Sequence, residues 1–72
     1  MNPNPKATFG KTIRELRQKQ ELSQSQLAMR SGMHRNYVGS VERGERNLSL
    51  LNIHALARAL RTRPAKLFKG EE

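Results

Sequence analysis

Apolar residues recur along this chain at helical intervals. Phe9, Ile13 and Leu16 fall four and three residues apart, with Lys11, Arg14, Glu15 and Lys19 mostly off their stripe, which predicts a first helix over residues 9–20. The stretch Leu22-Ser23-Gln24-Ser25-Gln26-Leu27 then pairs a capping box, Ser23 with Gln26, with a hydrophobic staple, Leu22 against Leu27. A second helix therefore starts at Gln24. It stops after Ser31, because Gly32 takes the left-handed conformation without a Cβ penalty. Helical spacing resumes from His34 to Arg43 around Tyr37, Val38 and Val41, and Gly44 closes this third helix as Gly32 closes the second. Beyond the loop Glu45-Arg46-Asn47, Ser49 caps a fourth helix and Leu48 staples to Ile53. Leu50, Ile53, Leu56, Ala57 and Leu60 make its buried face, and Arg58, Arg61 and Arg63 crowd the C-terminal end, where positive charge complements the helix dipole. Pro64 suits the first position of a brief fifth helix whose Leu67 and Phe68 point back to the core.

Composition agrees with this pattern. Nine leucines and six alanines stand against two valines and two isoleucines, with 4% aromatic residues, so helix formers dominate and strand formers are scarce. The expected fold is all-α, a compact bundle of five helices. Pro3, Pro5, Gly10, Gly32, Gly44, Pro64 and Gly70 punctuate it. Residues 1–6 carry nothing to bury and read as a disordered arm, residues 7–69 as one domain, and residues 70–72 as a flexible tail.

Length and charge narrow the function. Seventy-two residues leave no room for a deep substrate cavity, and the chain shows no nucleophile–base pair, no paired carboxylates at useful spacing and no phosphate-cradling glycine loop, so an enzyme is not expected. Zero cysteines remove disulfides and thiolate metal sites, and His34 and His54 lack a third ligand, so no metal and no cofactor are expected. No apolar run is long enough for a membrane span or a secretory signal, which suits a cytoplasmic protein. Fourteen Lys and Arg against six Asp and Glu give a net charge of +8, spread through periodic segments rather than gathered in a tail. Such a balance in a small domain is the footprint of a protein that meets a polyanion, most often nucleic acid.

Two short helices joined by a glycine turn make either an ordinary helical corner or the helix-turn-helix pattern, whose second helix enters the DNA major groove. Between Gln24 and Arg43, Ala28 lets the helices approach, Gly32 makes the turn, and Leu27, Val38 and Val41 fill the angle. With these go Ile13-Arg14-Glu15-Leu16-Arg17, Leu22-Ser23-Gln24, Leu27-Ala28, Ser31-Gly32-Met33, Tyr37, Val41-Glu42-Arg43-Gly44, Arg46-Asn47-Leu48-Ser49-Leu50, Leu56-Ala57 and Leu60. Over residues 9–68 this string resembles the lambda-repressor and Cro-like (XRE) helix-turn-helix family. The combination His34-Arg35-Asn36-Tyr37 with Glu42-Arg43-Gly44-Glu45-Arg46-Asn47 is most similar to the controller proteins of restriction-modification systems. Asn36 departs from the threonine that controllers often carry, which leaves the base preference open.

The resemblance implies a prokaryotic, sequence-specific transcription regulator that binds a near-palindromic operator as a homodimer. It places the front of the third helix on base edges, hence Arg35 and Asn36 as readers, and the chemistry agrees: arginine forks onto guanine O6 and N7, asparagine onto adenine N6 and N7. Ser40, one turn on, either reaches a base or phosphate or merely gives clearance. Gln24 opens the second helix, where amides and dipole attract phosphate; the alternative is a good helix former after the cap. Arg43, Arg46 and Asn47 are implied beside the DNA backbone, with Arg46 also within reach of a base. Tyr37 offers a hydroxyl to phosphate or a ring to the core edge. The resemblance further implies an ion pair between Arg17 and Glu42. On the fourth helix Leu51, His54 and Ala55 face away from the core positions and are expected, with Leu67 of the final segment, at a dimer interface. No sensing domain is visible, so no small-molecule ligand is expected. An antitoxin or prophage-type repressor of the same fold, which also binds a protein partner, is the alternative; a basic amphipathic peptide lying on a membrane leaves the capped helices and glycine turns unexplained.

Overall fold

The computed structural model describes residues 4–71, with side chains as far as Phe68. It comprises α1 (Pro5–Lys19), α2 (Gln24–Ser31), α3 (Arg35–Glu42), α4 (Leu50–Ala59) and a C-terminal 3-10 helix (Pro64–Glu71), with no strand among the described residues. The fifth expected element is thus a 3-10 helix rather than an α-helix, and it kinks at Phe68, whose φ of −109° and ψ of 19° are not helical. No described helix is long and apolar enough to cross a membrane.

Helix α1 begins four residues before the expected Phe9. Asn4 accepts a hydrogen bond from the Lys6 amide through Oδ1 at 2.9 Å, and Pro5 sits in the first turn, where a missing N–H costs nothing. The cap decides the start, although this turn buries little, so Asn4 caps and Pro5 and Lys6 open a helix rather than lying in the expected disordered arm; residues 1–3 lie outside the described residues. Gly10 does not break the chain either. A Cβ there would collide with the Val41 carbonyl oxygen and lie 2.8 Å from that of Glu42, so Gly10 is where α1 crosses the end of α3 backbone to backbone. At the other end the 3-10 helix runs through Gly70 and Glu71 of the expected tail, and Glu72 lies outside the described residues.

The ends of the four α-helices share one geometry. After each, two reverse amide bonds satisfy orphan carbonyls, as in Met33 N to Ala28 O at 2.9 Å and Glu45 N to Ser40 O at 3.0 Å. The residue at the turn is left-handed every time: Gly32 (φ 71°) and Gly44 (φ 76°) after α2 and α3, but Glu21 (φ 57°) and Arg61 (φ 55°) after α1 and α4. The sequence announces only the glycine pair. Starts follow the sequence more closely: Ser23 and Gln26 form the full capping box of α2, and Ser49 caps α4 by accepting from the Asn52 amide at 3.1 Å.

The core gathers Ile13 from α1, Leu27 from α2, Val38 and Val41 from α3, Leu56 and Leu60 from α4, and Leu67 from the 3-10 helix, all essentially sealed from solvent. Leu67 was expected both to point back to the core and to line a dimer interface; at 0% exposure it does the first and not the second, because the 3-10 helix folds back against α1 and α4. Leu50, expected on the buried face of α4, is 69% exposed. It occupies the first position of α4, while Leu48, just before the cap, folds back beside Ile53 to fill the core edge. The cap geometry thereby exposes both Leu50 and Leu51.

A non-glycine residue in left-handed backbone costs about 1 kcal/mol. Glu21→Gly, at an exposed position, is expected to raise unfolding stability by about 0.5–1 kcal/mol in urea titrations.

Candidate nucleic-acid interface

The α2–turn–α3 unit is held at one end by a side chain that sequence patterning treats as ordinary. His34 is the N-cap of α3, its Nδ1 accepting from the Asn36 amide at 3.0 Å. Histidine is not among the usual capping residues, so nothing in the sequence flags it. No group of three metal-binding side chains occurs among the described residues, and neither His34 nor His54 belongs to one.

Beyond this cap the first turn of α3 presents Arg35 and Asn36, both exposed. With side chains free to reach outward, they have the donor sets that fork onto purine edges. Next come three residues tied to each other. Ser40 is buried rather than facing outward: its hydroxyl donates to the Tyr37 carbonyl at 2.7 Å and accepts from Arg46 Nε at 2.9 Å. Of the two expectations for Ser40, an outward contact to base or phosphate or mere clearance, neither fits its burial, and its hydroxyl supports Arg46 instead. The Arg46 guanidinium stands over the Tyr37 ring, 5.5 Å from its centroid, a cation–π arrangement that holds the loop after α3 against the helix. Tyr37 Oη in turn accepts from Asn52 Nδ2 on α4 at 3.1 Å. Asn52 escapes sequence reading because its partner lies 15 residues away and no periodicity links them.

Arg43 and Glu45 form an exposed ion pair, Nε to Oε2 3.0 Å. The hydrogen bond from Arg43 holds the Glu45 carboxyl below its ordinary range, and Glu45 raises the Arg43 guanidinium above its own. Asn47 is exposed in the same loop.

Glu42 is the junction of three elements. Arg17 from α1 donates to it twice, Nε to Oε2 at 2.6 Å and Nη2 to Oε1 at 3.0 Å, while Gln24 Nε2 from α2 donates to Oε1 at 3.1 Å. The remaining Arg17 nitrogen, Nη1, reaches the Leu22 carbonyl at 2.8 Å, between α1 and α2. Only 12% of the Arg17 side chain and 4% of that of Glu42 are exposed, and the hydrogen bond to Glu42 raises the Arg17 pKa above its ordinary value. Two carboxylates near the end of α3 are thus each neutralised by an arginine. Gln24 spends only one of its two amide hydrogens on Glu42; the other is free to meet a phosphate.

Of the residues expected at a dimer interface, Leu51 is 80% exposed, His54 is exposed and Ala55 is half-buried, all on one stretch of α4. Leu50 adds to this apolar surface at 69% exposure, an addition the burial pattern had assigned to the core.

A family model described as helix-turn-helix matches residues 13–67, spanning the whole geometry described above. The chain belongs to the helix-turn-helix family. It is similar to the control protein C.SmaI of Serratia marcescens, with 48% identity over 62 residues, 86% of this chain and 74% of the relative. The control protein C.BamHI of Bacillus amyloliquefaciens is 40% identical over 68 residues, covering 93% of this chain and 84% of that protein. Among solved structures, the restriction-modification controller protein C.AhdI of Aeromonas hydrophila superposes with a TM-score of 0.85 at 55% identity, over 86% of this chain and 94% of that one.

Removing the acceptor at the centre of this helix-turn-helix unit leaves Arg17 and Gln24 without their partner. Glu42→Ala is expected to destabilise the fold by about 3 kcal/mol in denaturant titrations. An unchanged unfolding midpoint would refute the structural role assigned to the pair.

Proposed function

We propose that this protein is a restriction-modification controller, a transcription regulator that binds a near-palindromic DNA operator as a homodimer. The observation that carries the reading is the likeness to control proteins over most of both chains, reaching 55% identity with C.AhdI, in the region that holds the exposed head of α3. In this reading Arg35 and Asn36 contact bases, joined by Arg46, which spends one of its N–H groups on Ser40 and keeps the others for DNA. Gln24, Tyr37, Arg43 and Asn47 contact phosphates. Arg43 meets phosphate by exchanging its exposed partner Glu45, an ion pair weak enough in water to yield to a polyanion. The protein acts on DNA in a prokaryotic cytoplasm and does no covalent chemistry.

One such domain makes too few contacts for operator-level affinity, so two copies act across about one turn of DNA, with α3 helices about 34 Å apart. The exposed Leu50 and Leu51, with His54 and Ala55, supply the surface that joins them. Selection of duplexes from a randomised library, followed by footprinting on DNA upstream of its own coding sequence, tests the reading directly. Failure to enrich any sequence would overturn it.

Arg35→Ala is expected to cost about 1–3 kcal/mol of binding and to relax preference at one base pair in each half-site, read in a library of operator variants. Leu51→Arg is expected to shift the protein to monomer in sedimentation and to weaken operator binding while helical content is kept. A variant that stays dimeric would place the two-fold axis elsewhere.

A further inference from the structure

Tyr37 is gripped on three sides. Its carbonyl accepts from Ser40, its ring lies under the Arg46 guanidinium, and its hydroxyl oxygen accepts from Asn52 Nδ2 at 3.1 Å. A phenol has one hydrogen to give and lone pairs to receive, so a neighbour that donates to the oxygen decides where the hydrogen goes. With the Asn52 amide donating, the phenolic hydrogen turns away from Asn52. The cation over the ring draws electron density from it and makes the hydroxyl a better donor.

We infer that Asn52, which lies on α4 outside the helix-turn-helix pair, is a positioning residue that biases the Tyr37 hydroxyl to act as a hydrogen-bond donor toward DNA. The inference rests on the DNA-binding reading proposed above. A hydroxyl so oriented matches acceptors: phosphate oxygens, guanine O6 and N7, adenine N7 and thymine O4. With one lone pair already taken by Asn52, it is a poorer partner for the amino hydrogens of cytosine N4 or adenine N6. Tyr37 therefore favours an acceptor at its place on the duplex, and the polarity of that preference is set from a different helix. Asn52 directly follows Leu51, so the residue that orients this hydroxyl is the chain neighbour of the exposed leucine assigned above to dimer association.

Asn52→Asp reverses the polarity at nearly constant shape. A carboxylate accepts from the phenol and draws its hydrogen inward. The position is the third of α4, whose first turn holds no acidic residue, so a carboxylate there favours the helix dipole and the fold is kept. Two readouts follow, one without DNA. Tyr37 is the chain's single tyrosine and there is no tryptophan, so intrinsic fluorescence reports on this ring alone. Hydrogen bonding of a phenol to a carboxylate quenches its emission, and N52D is expected to lower it. Unchanged emission would mean that the two side chains do not meet, and the inference would fall.

The second readout is a double-mutant cycle on the duplex that the parent protein selects from a randomised library. N52D is expected to weaken binding about fivefold in the parent, roughly the net worth of one hydrogen bond, but less than about twofold in a Y37F background, where only the added charge acts. N52A, which removes the donor without adding charge, is expected to lose about two- to threefold in the parent and nothing in Y37F. Equal losses in both backgrounds, or no loss in the parent, would show that Asn52 does not act through the Tyr37 hydroxyl. A parent that selects no duplex would sink the DNA-binding reading, and this inference with it. A parent that selects one while the cycle shows no coupling would sink only this inference.

Discussion

A single carboxylate, nearly sealed from solvent, fixes how the helix-turn-helix pair sits on the rest of the domain. Glu42 takes both prongs of Arg17 from α1 and the amide of Gln24 from α2 while standing on the last turn of α3. Three helices therefore meet at one pair of oxygens. A bidentate guanidinium–carboxylate pair is directional as well as attractive, so it sets an angle where a patch of leucines would permit a range of them. Close by, Gly10 lets the backbone of α1 rest on the last carbonyls of α3. The pair and the glycine together put α3 at one height and one tilt relative to α1.

This arrangement also resolves an electrostatic difficulty. A protein that neutralises phosphates gains from every cation it presents and loses from every bare carboxylate nearby. Glu42 and Glu45 stand at the end of α3, in the region proposed to meet the DNA backbone. Glu42 is covered by Arg17 and withdrawn from solvent; Glu45 is paired with Arg43 in the open. The two pairs differ in what they can do. The enclosed one holds the architecture, whereas the exposed one is a labile contact whose arginine is proposed to exchange it for phosphate.

Helix α4 serves two surfaces with adjacent residues. Ser49 caps it, which turns Leu50 and Leu51 outward, and Asn52 in the same turn reaches back to Tyr37. Apolar surface exposed by a cap is an unusual place to leave two leucines in a small domain with a net charge of +8, and association with a second copy gives it a purpose. One turn of one helix thus borders both the proposed dimer surface and the proposed reading surface.

By itself the sequence determined the all-helical class, the positions of α2 and α4 through Ser23, Gln26 and Ser49, the glycine turns at Gly32 and Gly44, most of the core, and the exposed Arg35 and Asn36. These are consequences of contacts within a few residues along the chain: caps, staples and periodicity act over one or two turns, and local sequence carries them. The Arg17–Glu42 pair was reached only through likeness to a family, since nothing in the spacing of two residues 25 positions apart indicates a contact. The tertiary structure alone decided the burial of Ser40, the exposure of Leu50, the histidine cap, the left-handed Glu21 and Arg61, and the bond from Asn52 to Tyr37. Each depends on which element packs against which, or on a residue type that local rules disfavour at its position. Periodicity tells which face of a helix is apolar, but not how far along the helix the core extends, and that boundary is set by the neighbouring helices.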